Sequence, residues 1–173
     1  MQHRISVSLA LLAALALPVR AFAGAAVAAA ALNGANEVPS VVTGASGKFT
    51  ATITATEIKY KLSFSGLTGT TFVAHIHVGE RHTLGGVSVF LCNNTPAGPA
   101  PQPCPHGSGT ITGTITSADV IGPAGQGVDP AEFTALLDAI GDGATYVNIH
   151  TSAFATGEIR GQLLQIGKVA SAD

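Results

Sequence analysis

Residues 47–66 read GKFTATITATEIKYKLSFSG, and their alternation decides the fold class. Phe49, Ala51, Ile53 and Ala55 fall on one side of an extended chain, with Thr50, Thr52 and Thr54 on the other. That is the period of a half-buried strand. Ile58, Tyr60, Leu62 and Phe64 repeat the pattern against Lys59, Lys61, Ser63 and Ser65. The short Thr56-Glu57 link between the two runs predicts an antiparallel hairpin.

Similar runs follow at 72–78, 87–91, 109–116, 145–150 and 158–166, and residues 30–33 suit a short initial strand. Links containing glycine separate most of them, and the chain holds 21 Gly in 173 residues. Many short strands with turn signals between them predict an all-β chain folded as an antiparallel sandwich or barrel. One segment departs from the pattern. In DPAEFTALLDAIG, residues 129–141, Asp129 suits an N-cap, Pro130 the first helical position and Glu132 the matching capping-box position. Phe133, Leu136, Leu137 and Ile140 then fall on one helical stripe, so one short α-helix is expected to cover the sheet.

The first residues address the compartment. Arg4, the apolar run Ile5 to Leu17 and the small-x-small site Ala21-Phe22-Ala23 form a signal peptide over residues 1–23. The alternative, an uncleaved anchor, is disfavoured because the run falls short of the roughly 20 apolar residues a span needs. The expectation is a secreted or periplasmic protein with no membrane span after cleavage. Loss of Arg4 and Arg20 takes the formal net charge from -2 to -4. A mildly acidic product without a basic run is not built to hold nucleic acid. Cys92 and Cys104 enclose the proline-rich NNTPAGPAPQP, where a disulfide would pin a loop unable to pin itself.

Residues 73–80, VAHIHVGE, carry the chemistry worth testing. On a strand His75 and His77 share a face with their Cβ atoms about 6–7 Å apart, close enough to converge on one ion. A third ligand has to come from elsewhere. YVNIHTSAF offers His150, with His82 and His106 in loops as reserves. Against a metal stands the reading of all three as polar braces hydrogen-bonded to carbonyls or hydroxyls. In GEIRGQ, Glu158 and Arg160 share a face, and a structural ion pair is expected between Arg160 and either Glu158 or Glu37 of the NEVP segment. No GxSxG elbow, HExxH or phosphate loop occurs, so no catalytic residue is assigned and no enzyme is expected.

The order LNGANEVPSVVTGASGKF, LSFSGLTG, AHIHVG, VSVFLCNN, TITSADV and YVNIHTSAFATGEIRGQL resembles the CHRD domain, a module repeated in chordin and found singly in exported microbial proteins. The resemblance covers residues 31–165. It implies an all-β extracytoplasmic domain and hands over no activity. A looser likeness is to the Cu/Zn superoxide dismutases, also β-barrels with an HxH strand, a disulfide and a late arginine, and it stops before their zinc ligands. Strand plans of immunoglobulin-like or dismutase-like type both fit. The expected role is non-enzymatic binding, of a metal ion or an unidentified extracytoplasmic partner. For a metal, copper is preferred on His75, His77 and His150, because an all-imidazole set without carboxylate or thiolate suits Cu(II), the head of the divalent affinity order. A purely structural or protein-interaction domain and a dismutase-like redox enzyme are the alternatives.

Overall fold

A computed structural model describes residues 24–168, so the signal peptide expected at residues 1–23 lies outside the described residues. The strands are β1 (Ala26–Asn33), β2 (Ser46–Ile53), β3 (Ile58–Ser65), β4 (Thr71–Val78), β5 (Val87–Asn93), β6 (Gly109–Ile115), β7 (Thr145–Thr151) and β8 (Ile159–Lys168), with helix α1 (Phe133–Gly141) before β7. All pair antiparallel in one sheet of order β5-β4-β7-β8-β1-β2-β3-β6. A single curled sheet decides for a nearly closed barrel over a sandwich of two sheets.

The hairpin read from residues 47–66 forms β2 and β3, with Phe49 opposite Leu62 and Ala51 opposite Tyr60. Phe49, Ile53, Ile58 and Leu62 point inward and are buried. The edge strands β5 and β6 meet across a seam closed by side chains. Tyr60 Oη donates to the Leu91 carbonyl at 2.9 Å, and Gln102 Nε2 lies 3.1 Å from the Leu91 carbonyl and 3.0 Å from that of Thr112. The Cys92–Cys104 disulfide forms as expected and ties the proline-rich loop to β5.

Two boundaries differ most from the sequence reading. Strand β1 begins at Ala26, because alternating alanines carry almost no hydrophobic period although Ala26, Ala28 and Ala30 are buried. Helix α1 begins at Phe133, not beside Asp129. The Ala131 N–H is held by the Val120 carbonyl at 2.8 Å with Ala131 at φ 67°, a left-handed conformation that no helix continues through. The predicted stripe is intact: Phe133, Leu136, Leu137 and Ile140 all join the core.

Candidate metal centre

Along β4, Ala74, Ile76 and Val78 face the barrel interior, which sends His75 and His77 to the outer face. An outer face normally meets water, yet each histidine is only 7% exposed. Pairing builds a polar patch across three strands. His75 lies opposite Asn148 and His77 opposite Tyr146 on β7, while Asn148 lies opposite Arg160 and Tyr146 opposite Gln162 on β8. His150 lies opposite Val73, two residues further along β7 from Asn148.

Residues 79–86 fold back over this patch, and the patch itself holds them there. Arg160 donates to the carbonyls of Thr83 at 2.7 Å and Glu80 at 2.8 Å, and Gln162 donates to that of Gly79 at 2.9 Å. The Gly85 N–H donates to Tyr146 Oη at 3.2 Å. A Cβ at Gly85 would stand 1.6 Å from the Val78 carbonyl oxygen, so only glycine lets the loop lie this close. On the other side Phe90 of β5 packs against His75, the two rings nearly perpendicular with centroids 4.4 Å apart. Gly98 of the disulfide loop presses on Phe90 so closely that a Cβ would come within 2.5 Å of Cζ.

Hydrogen bonds to carbonyls set the imidazole tautomers. His77 Nδ1 lies 2.9 Å from the Gly85 carbonyl and His150 Nδ1 lies 3.0 Å from that of Ala155, so each Nδ1 carries the hydrogen. The Nε2 lone pairs are thereby left free to accept. His75 Nδ1 lies 3.3 Å from His150 Nε2, which also lies 3.1 Å from Asn148 Oδ1. His75 Nε2 and His77 Nε2 are buried without any hydrogen-bond partner. One ring nitrogen from each of His75, His77 and His150 lies within 4.8 Å of the others. A metal with bonds of about 2.0 Å needs its donors about 3.5 Å apart, so the three rings have to draw together from their widest spacing to hold one. The sequence thus named three residues that the β4–β7 pairing brings together.

The reserve histidines stay apart. His106 Nδ1 accepts the Thr71 N–H at 3.2 Å, and His82 is exposed on the covering loop. The ion pair expected among Glu37, Glu158 and Arg160 is corrected: among the described residues none of these makes a salt bridge within 4 Å. Arg160 spends its planar fork on loop carbonyls. Glu158 is fully buried, and its oxygens accept from Thr43 Oγ1, the Thr68 N–H and Thr151 Oγ1 at 2.8–3.0 Å. Glu37 is buried with Oε1 unpartnered, and burial pushes its carboxyl up to about 7 although the charge of Arg160 and the Val38 N–H pull the other way.

A family model for the CHRD domain matches residues 28–163. The chain belongs to the CHRD domain family. The match starts three residues before and ends two residues before the span of 31–165 read from the motifs. No curated protein and no solved structure matches the chain.

In this CHRD domain the histidine patch is electrically neutral near pH 7. Burial pushes His75 down to about 3, reinforced by the like charges of His150 and His77. Burial takes His77 down to about 4 against the pull of the Gly85 carbonyl and the Asn148 side chain, and it lowers His150 as well. His77 stacks on Tyr146 with centroids 4.7 Å apart and planes 3° from parallel, and the Arg160 guanidinium sits 3.4 Å from the centroid of that tyrosine ring. The sequence pattern put Asn148 on the face of His150 without giving it a role, and it did not single out Tyr146 as a neighbour of the site, nor Gln162 or Phe90. The first three follow from period two, lying two or four residues from His150 or Arg160 on the same strand face, whereas Phe90 reaches His75 through a register shift between β4 and β5.

Proposed function

We propose that this CHRD domain is an extracytoplasmic, non-enzymatic binding protein that holds a copper ion on His75, His77 and His150. The observation that carries the reading is that one ring nitrogen from each of His75, His77 and His150 lies within 4.8 Å of the others, while Nε2 of His75 and of His77 is buried without a hydrogen-bond partner. An unsatisfied buried acceptor costs about 1–3 kcal/mol, and a metal relieves several at once. A bracing role accounts for the Nδ1 bonds of His77 and His150 and leaves both Nε2 atoms without a purpose. Depressed basicity serves the same end, since the ligand form is the neutral imidazole and protons compete poorly. Copper is favoured over zinc by a donor set of three imidazoles with neither carboxylate nor thiolate in the cluster.

Export is supported by the signal-peptide pattern of residues 1–23 and by the disulfide, a bond that persists in oxidising compartments. Among the described residues no helix is long and apolar enough to cross a membrane. The test is titration of the oxidised protein with copper in both oxidation states, followed by calorimetry, beside a His75→Ala/His77→Ala variant. One-to-one binding that the variant loses supports the reading. No binding of either ion, or equal binding by both proteins, ends it.

A further inference from the structure

Resting on that reading, we infer that the patch selects the monovalent ion, binding Cu(I) in preference to Cu(II). Three neutral imidazoles leave the complex with the full charge of the metal, in a place where His75 and His77 are almost out of water. The cost of taking an ion out of water grows as the square of its charge, so a divalent ion loses about four times as much as a monovalent one of equal size. Imidazole itself is borderline in softness and decides little, which leaves charge and coordination number to choose.

Both point the same way. The charged group nearest the stack is a cation. Arg160 is 1% exposed, lies over Tyr146, and Tyr146 in turn stacks on His77. Its repulsion is twice as large for a doubly charged ion, and in a buried setting little of it is screened. Glu37 is the carboxyl close enough to Arg160 to offset it, and burial leaves Glu37 only partly ionised at neutral pH. The patch provides three ring nitrogens from two adjacent strands, with Phe90 against His75 and Tyr146 against His77 filling the flanks. Cu(II) asks for a square or tetragonal set of N and O donors, while a filled d shell makes no such demand. A covered, three-donor, cation-flanked patch therefore suits Cu(I).

The experiment is a pair of competition titrations on the mature, oxidised protein. One is anaerobic, with Cu(I), ascorbate and a chromophoric Cu(I) chelator, and the other uses Cu(II) and a Cu(II) chelator. Cu(I) is expected to bind at least about a hundredfold more tightly, which lifts the midpoint potential above the aqueous couple by about 120 mV. Arg160→Met is expected to lower that potential, and Arg160→Lys, which keeps the charge and loses the fork, to restore part of it. If Arg160→Met does not fold, Glu37→Gln, which removes the offsetting carboxylate, is expected to raise the potential instead. Cu(II) bound as tightly as Cu(I), with binding lost in His75→Ala/His77→Ala, overturns the inference and leaves the copper site standing. A potential indifferent to both Arg160 and Glu37 also overturns it. No binding of either ion removes the site and the inference together.

Discussion

Acidifying the metal-free protein from pH 6.5 to pH 4.5 is expected to remove about 3 kcal/mol of stability, and the histidine patch is the cause. The folded protein keeps His75 neutral down to about 3 and His77 down to about 4, against 6.5 for an exposed imidazole. Between those limits the unfolded chain takes up two protons that the fold refuses, so their stabilisation, complete above 6.5, is lost as the pH falls. Glu37 works in the opposite sense. Its carboxyl is raised from 4.5 to about 7, so in the same window the fold holds one proton that the unfolded chain gives up. The net difference is one proton, and one proton over two pH units is about 2.7 kcal/mol. His150 shifts in the same direction as its two neighbours and adds to the loss. Urea midpoints for chelator-treated protein at the two pH values measure it, and His75→Gln/His77→Gln is the control. With those two imidazoles gone, Glu37 opposes what remains and the profile should be flat or rise on acidification. A wild-type loss below about 1 kcal/mol, or an equal loss in the variant, would refute the argument that burial keeps these rings neutral.

Three further outcomes follow from the framework around the patch. Glu158→Ala is expected to cost about 3 kcal/mol, because the Thr68 N–H and two threonine hydroxyls lose a buried carboxylate, with Glu158→Gln recovering part of it in the same denaturation assay. Cys92→Ser/Cys104→Ser releases a loop with a sequence separation of 12, and the chain-entropy estimate for that ring is about 3 kcal/mol, read from the urea midpoint. Gln102→Ala is expected to cost about 1–2 kcal/mol by opening the seam. Its hydrogen exchange should speed up in β5 and β6, and an equal change in β1 would show that Gln102 does not close the barrel.

Period two was enough to place most of the strands, to send His75, His77 and His150 to the same side of theirs, and to put Glu158 and Arg160 on one face. It was silent on closure. Whether an antiparallel sheet curls into a barrel depends on contacts far apart in the chain, here Tyr60 and Gln102 reaching the β5 backbone. The meeting of His150 with the HxH pair depends likewise on β7 lying beside β4, separated from it in sequence by two other strands and a helix. Charge complementarity misled at Arg160. Two carboxylates nearby in the motifs suggested an ion pair, yet the guanidinium found loop carbonyls whose positions only the folded loop determines. The same loop turns an outer face, which alternation reads as solvated, into a buried one.

His75 and His77 sit side by side under that cover, and replacing each by leucine is expected to change stability in opposite directions. His75 Nε2 has no partner, its Nδ1 contact to His150 is long at 3.3 Å, and Phe90 packs against it with the two rings nearly perpendicular. His75→Leu removes an orphaned acceptor and keeps an apolar body against Phe90, while His150 Nε2 exchanges the long His75 contact for the Asn148 amide, which turns its NH2 toward the ring to donate. A gain of about 1 kcal/mol is expected, with copper binding lost. His77→Leu gives up the bond to the Gly85 carbonyl and the stack on Tyr146, both of which hold the covering loop, and about 1–2 kcal/mol should be lost along with the metal. Ala74 and Ile76 face the interior and are untouched in either variant, so a difference in sign comes from the outer face alone. If His75→Leu instead destabilises by more than about 1 kcal/mol, His75 is a brace that the fold needs, and its burial no longer argues for a ligand. If it stabilises, the fold is carrying a histidine that its own packing does not want, and binding is what remains to explain it.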